Sequence, residues 1–274
     1  MIAQLKAAPI PKAEKPRDFD HLSFSALSLY QQCPLRFYFR YLARLPEETI
    51  ASSLVYGSSI HSALQYHFEQ LLIGKPMPNQ DTLLAVFHDA WTHYEGQKIQ
   101  FGKGEDKNSL SQLAGRMLHA FQKSALAQPA GRIIAIEEEL RGQVVAGSPD
   151  LLARIDLLVE TADAFHLTDF KTTRSQWSQG HVEEAGSQLL LYSELVKPLT
   201  DGKPLRLAFA VMTKTKKPEL AIHPVQVNAQ QVKRTKTIVE RVWRAIQAGH
   251  IYPNPSQLNC HSCPYRKPCR DWIG

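Results

Sequence analysis

The cysteines constrain this chain more than any other feature. There are four: Cys33, Cys260, Cys263 and Cys269. Three lie within ten residues near the carboxyl end, and the fourth stands 227 positions earlier. An even count allows two disulfides. However, Met1 to Asp20 is rich in Pro, Lys and Ala and lacks the apolar run of about 7–15 residues that a secretory signal needs. No stretch approaches the ~18–20 apolar residues of a membrane span. The expectation is a cytoplasmic, reducing location, where clustered cysteines are metal ligands more often than disulfides. Three close thiolates and one remote one fit a four-cysteine metal centre, and such a centre would staple the two ends of the chain together. Zinc and a [4Fe–4S] cluster both accept four thiolates, and softness does not separate them. The plain alternative is buried free cysteine, although no cysteine is left over and Pro follows both Cys33 and Cys263.

With 274 residues the chain can bury a core without cross-links. Its 43% hydrophobic and 21% charged residues exclude the disordered, collagen-like and membrane classes. The net charge of +6 is unevenly placed. Residues 1–200 hold 19 basic and 22 acidic side chains, and residues 201–274 hold 13 basic and 4 acidic, so the two segments carry −3 and +9. A basic surface points to a polyanionic partner, and its plain alternative is a solvated face.

Periodicity divides the chain in texture. Residues 1–20 read as a flexible arm. Ser23 or Ser25 is placed to cap a short helix, and Pro34 to start the next. Gly57 to Ile73 reads as an amphipathic helix with Ile60, Leu64, Phe68 and Leu71 on one face. Further helices are predicted near 81–97 and 109–127, a helical insertion spanning about 75–130. Strands are predicted from Ile133 to Val145, at 153–159 and 165–172 with a polar turn at 160–164, and at 205–213 and 219–226. Helices are predicted at 182–197 and about 228–248. The latter is basic, with Val232, Val239, Val242 and Ile246 inward and Lys233, Lys236, Arg241 and Arg244 outward. No phosphate loop is present, which argues against a nucleotide-driven motor within this chain.

The most informative segment is Arg154-Ile155-Asp156 followed by Thr168-Asp169-Phe170-Lys171. Side chains alternate along a strand, so Asp169 and Lys171 share a face while Phe170 points into the core. Asp156, on the partner strand, lies beside Asp169. Two adjacent carboxylates repel unless a cation neutralises them, and oxygen-rich clusters suit Mg²⁺ or Mn²⁺. A lysine two residues along fits metal-assisted phosphodiester hydrolysis. By itself, an Asp-x-Lys tripeptide is most often a surface ion pair.

Taken together, several segments resemble the PD-(D/E)XK nuclease superfamily, in its RecB-like/Cas4-like exonuclease branch with a terminal iron–sulfur motif. These are Ser23-Phe24-Ser25 through Tyr30, Cys33, Pro34 and Phe37-Tyr38-Phe39; Gly57-Ser58-Ser59-Ile60-His61; Ile155-Asp156; Asp169-Phe170-Lys171; Gln188 and Tyr192; and Cys260-x₂-Cys263-x₅-Cys269. The resemblance implies an α/β restriction-endonuclease-like core, a mixed central sheet flanked by helices, with a helical N-terminal region and termini stapled by an Fe–S cluster. It implies a single domain over 21–274. It also implies His61, Asp156 and Asp169 as metal ligands, the Phe170 carbonyl completing the shell, and Lys171 orienting the attacking water. Gln188 and Tyr192, at i and i+4 on one helix face, would position the lysine or the DNA backbone. The cofactors implied are Mg²⁺ or Mn²⁺ and a [4Fe–4S] cluster held by Cys33, Cys260, Cys263 and Cys269, with zinc as its alternative.

The activity implied is divalent-metal-dependent DNA cleavage, exonucleolytic on single-stranded ends, in DNA repair and recombination or CRISPR-type processing. DNA, single-stranded or with free ends, is the partner implied, and a separate helicase or CRISPR protein is compatible with it. Basic residues near 214–244 would hold the backbone, and Phe37, Tyr38 and Tyr41 would stack on bases or lie in the core. The contrasting reading is a catalytically silent DNA-binding or scaffold subunit of a helicase–nuclease complex, against which the intact His61, Asp156, Asp169 and Lys171 set argues. Two departures stand out. Ala153 and Arg154 occupy positions where the family commonly has Gly, and Pro149-Asp150 makes Asp150 a rival to Asp156. Glu137, in Ile136-Glu137-Glu138-Glu139, resembles an acidic position on the first core strand but reads as part of a solvated edge.

Overall fold

The computed structural model describes residues 19–272. A short strand β1 (His21–Ser23) leads into α1 (Phe24–Gln32), whose first turn is capped by the Ser23 hydroxyl accepting from the Ala26 amide at 3.1 Å. Pro34 opens α2 (Pro34–Phe37) at its first position, and a π-helical turn (Tyr38–Leu42) follows. A two-residue strand β2 (Ile50–Ala51) precedes the long helix α3 (Ser52–Leu72). Helix α4 (Gln80–Thr92), strand β3 (Ile99–Gln100) and helix α5 (Lys107–Gln122) come next. Then come β4 (Arg132–Gly142), β5 (Asp150–Glu160), β6 (Phe165–Thr173), α6 (Gln179–Val196), β7 (Leu205–Thr213), β8 (Leu220–Val225), α7 (Ala229–Gln247), α8 (Gln257–Cys260) and α9 (Arg266–Asp271).

Six strands make one mixed sheet. β5 is flanked along its length by antiparallel β4, β6 pairs with β7 in parallel, and β8 closes the edge antiparallel to β7. The second edge of β5 is shared. β1 pairs with residues 150–152 and β6 with residues 157–160, so residues 153–156 have no strand partner there. The sheet is buried on both faces. On one, α1, α6 and α7 pack Leu27, Leu189, Val242 and Ile246 against Leu151, Ile155, Leu207 and Phe209. On the other, α3, α4 and α5 pack Ile60, Leu64, Phe87 and Phe121 against Leu157, Phe170 and Met212. Ile60, Leu64 and Phe68 are nearly inaccessible, as the 3.6-residue period requires.

Besides a bulge between Ile133 and Ala135 on β4, the alternation along β4 and β5 breaks at a second place. Leu151, Ala153 and Ile155 face the α1/α6/α7 layer, yet Leu157 and Val159 face the opposite one. On β4, Leu140 faces the first layer and Ile136 the second, although they are four residues apart. The break falls between the pairs Ile136–Leu157 and Glu138–Ile155, at Glu137 and Asp156. Glu137 has φ of 48°, in the left-handed region. For a non-glycine residue this costs on the order of 1–3 kcal/mol.

The termini meet. Tyr38, Phe39 and Leu35 bury against Tyr265, and the Tyr30 hydroxyl donates to the His250 carbonyl at 2.7 Å. The Leu35 amide donates to the Tyr252 carbonyl, and Asn254 and Asn259 both donate to the Gln32 carbonyl. Several expectations are corrected. Of the predicted arm, residues 1–18 lie outside the described residues, but Phe19 is not free. It stacks on Phe37 at 5.7 Å and meets Trp243 edge-on, while Asp20 pairs with Arg141. Phe37 and Tyr38 are buried and so are not available to stack on bases. The basic last quarter is partly neutralised, since Lys203, Arg206, Lys236 and Arg244 each face a carboxylate.

Candidate active site

The hairpin register carries the site. β5 and β6 pair through Leu157–Thr168, so continuing the ladder sets Asp156 opposite Asp169. The ladder stops one step earlier and the strands part there. Into the opening the Phe170 amide donates to Asp156 Oδ2 at 2.6 Å, in place of a strand partner. Both aspartates are buried.

Helix α3 brings His61 to the same point. Its Nδ1 lies 3.1 Å from Glu137 Oε1 and 3.6 Å from Asp156 Oδ2, and its Nε2 lies 3.0 Å from the Phe170 carbonyl. Both ring nitrogens therefore face acceptors, and only the imidazolium donates at both. Burial works against that charge, but the Glu137 hydrogen bond and the nearby Asp156, Glu137 and Asp169 outweigh it and raise the His61 pKa to about 9. Asp156 is pushed upward too, by burial and then by the neighbouring Asp169. A proton thus holds the anions together.

His61, Glu137 and Asp156 each present a ligand atom within 4.8 Å of the others. Imidazole and carboxylate oxygens form a donor set for Mn²⁺, or less strongly for Mg²⁺, and the Phe170 carbonyl lies 3.0 Å from the other nitrogen of the same imidazole. The residues present fit a divalent cation.

Glu137 is the residue that sequence reasoning set aside. Glu138 and Glu139 are exposed, as a solvated edge predicts, but the Glu137 side chain is only 12% exposed. The left-handed backbone turns it inward. The usable signal was the acidic position on the first core strand.

Asp169 lies beside the trio and belongs to a second network. Lys171 Nζ sits 2.7 Å from Asp169 Oδ2 and donates to Gln188 Oε1 at 3.0 Å. Gln188 Nε2 donates to Asp169 Oδ1 at 3.0 Å and to the Tyr192 hydroxyl at 3.2 Å. Gln188 on α6 therefore grips the lysine–aspartate pair directly, and Tyr192 acts through it. Burial raises the Tyr192 pKa to about 12, so its hydroxyl stays protonated. Asp150 stands apart, at the start of β5, bonded to Arg141 at 3.1 Å. Arg154 leans over the rim, 3.8 Å from Glu137 and 3.4 Å from Glu139.

The cysteines are all free thiols, and the four line one cavity of about 40 Å³ together with Leu35, Phe39 and Tyr265. Burial, then the other cysteines, raise the pKa of Cys269, and burial also raises that of Cys263. Among the described residues, no three of these sulfurs come within 4.8 Å of one another.

A mixed sheet whose central hairpin opens on two aspartates and a lysine is a restriction-endonuclease-like core. The profile of the PD-(D/E)XK nuclease superfamily matches residues 21–270, and the chain belongs to that superfamily. Among solved structures, a candidate exonuclease from Eubacterium rectale is similar in fold, with a TM-score of 0.60 and 14% identity over 93% of this chain and 89% of that one. The structure of SSO0001 aligns over 91% of this chain and 96% of that one, at 14% identity and a TM-score of 0.40. No curated protein matches the sequence significantly. Among the described residues, no helix is long and apolar enough to cross a membrane.

Proposed function

We propose that the protein is a divalent-metal-dependent deoxyribonuclease acting as an exonuclease on single-stranded ends, in repair and recombination or CRISPR-type processing. The observation that carries the reading is the convergence of His61, Glu137, Asp156, Asp169 and Lys171 where β4, β5, β6 and α3 meet. His61, Glu137, Asp156 and the Phe170 carbonyl would hold the cation, with Asp169 at its edge. A divalent ion there supplies Lewis-acid activation of the phosphate and lowers the pKa of an attacking water. Lys171 orients that water and offers its positive charge to the phosphate oxygens as negative charge develops on them. Gln188 keeps the ammonium aimed through its bonds to Lys171 and Asp169. Tyr192 in turn orients Gln188. Burial of both aspartates makes each of these interactions stronger than in water.

Cys33, Cys260, Cys263 and Cys269 would hold a [4Fe–4S] cluster with a structural role. Their shared cavity supports this. A cytoplasmic location suits such a cluster.

The test incubates end-labelled single- and double-stranded DNA with Mn²⁺ or Mg²⁺, with Lys171→Ala as control. Progressive shortening of single strands by the parent and none by the variant is expected. DNA binding without cleavage by the parent would favour the scaffold reading.

A further inference from the structure

β6 and β7 run parallel and end side by side, with Thr173 paired to Thr213. Ligands collect at the carboxyl ends of such strands. The first residue beyond each strand is a cation, Arg174 and Lys214, and the Lys214 amide is tied to the Thr173 carbonyl at 2.6 Å. One carboxylate serves both. Glu105 lies 3.6 Å from Arg174, but it already accepts from the Ser52 hydroxyl at 2.9 Å and the Gly102 amide at 3.0 Å. Helix α3 begins at Ser52, with no side-chain cap from Ala51, so its positive end adds to the excess. Burial and Arg174 hold the Lys214 pKa below the usual lysine range, although Glu105 opposes them. One carboxylate and the Tyr56 ring, whose centroid lies 5.6 Å from Lys214 Nζ, stand against two cations and a helix start.

The location is as telling as the charge. Arg174 stands three residues beyond Lys171, about 10 Å along the chain at strand rise. The same helix whose His61 reaches Phe170 passes Thr172 at Gly57 and ends beside these cations. Phe101 is 38% exposed, and it follows Gln100, the strand partner of Ala51. An aromatic ring beside cations is the pattern of single-strand grooves, where bases stack and the backbone is held.

We propose that Arg174 and Lys214 form a positioning subsite that holds a phosphate neighbouring the reacting one on a single strand. The inference rests on the nuclease reading and extends it. Arg174 is 75% exposed, so Arg174→Ala leaves the fold intact, and it is examined alone and with Lys214→Ala. Binding is read by anisotropy of a short labelled single strand in Ca²⁺ across a salt series.

The double variant is expected to bind roughly tenfold more weakly. Its slope of log affinity against log salt should be shallower by about 0.7. In Mg²⁺, KM for the strand should rise with kcat within about twofold. Arg174→Lys should recover part of the affinity. Unchanged affinity and slope in Arg174→Ala would overturn the subsite, as would a fall in kcat with KM unchanged. Hydrolysis of bis(p-nitrophenyl) phosphate by the parent separates the two readings. A parent inert toward both this diester and DNA overturns the nuclease reading, while the binding series still judges the subsite.

Discussion

The acidic site is carried by three strands and a 21-residue helix, whereas the cysteines stand on helices of four to nine residues and the loops between them. The first is held by ladder hydrogen bonds and two hydrophobic layers. His61, Glu137 and Asp156 lie within ligand distance of one another, and the carboxylates around His61 raise its pKa to about 9. The second rests on a small cluster around Tyr265 and a few side-chain bonds to the Gln32 carbonyl. Its four cysteines line a common cavity. A site on a sheet is pre-organised by the fold, while a site on short loops depends on its ligand to order the chain.

The largest effects should fall on the acidic side of this contrast. Asp156→Ala and Lys171→Ala should each lower single-turnover cleavage by about 10²–10³-fold or more. Asp150→Ala should stay within about twofold, because its partner is Arg141. Equal loss in Asp150→Ala would return the metal site to that residue.

Cysteine variants should invert the pattern. Cys263→Ser should lower the melting temperature by several degrees, each kcal/mol being worth about 2–4 °C at this size. The remaining folded fraction should keep its cleavage rate. An anaerobic preparation that is brown and contains iron would support the cluster; a colourless one with stoichiometric zinc would replace it.

A pH series separates the sites further. In the metal-free protein His61 has its pKa raised from 6.5 to about 9, and Asp156 is raised as well. The folded state then binds more protons than the unfolded one, so stability from the His61 pair is full below about pH 6.5 and lost as pH rises through about 9. Metal binding must expel these protons. Mn²⁺ affinity by calorimetry should therefore rise with pH up to about 9, by about tenfold per unit for each proton released. A flat profile would mean that His61 is not displaced. The smallest effect belongs to Tyr192→Phe, which removes one bond to Gln188 and should slow cleavage by about two- to tenfold, with a larger loss in Gln188→Ala.

Much of this was legible in advance where a regular period holds. The α3 stripe, the β5–β6 hairpin and the i, i+4 pair on α6 follow from spacings of 3.6 and 2. Reading failed where the period fails. Glu137 sits in a run of three glutamates, and alternation gives no reason to separate it from its neighbours. Its left-handed backbone does so, at an energetic cost that the site repays. The aromatic run Phe37-Tyr38 misled in the other direction, since an exposed stacking surface and a buried seam share the same letters.

Residue order alone was enough to place Asp169 and Lys171 on one face, to set Asp156 opposite by hairpin register, and to mark the ends of the chain for joining. These are local matters of strand geometry and residue chemistry. The assembly of the His61–Glu137–Asp156 trio was settled only when the chain folded. It depends on the fork where β5 leaves β6, the broken alternation at Glu137, and the angle at which α3 crosses the sheet. Each arises from packing between residues 14 to 109 positions apart, which no spacing within a segment encodes.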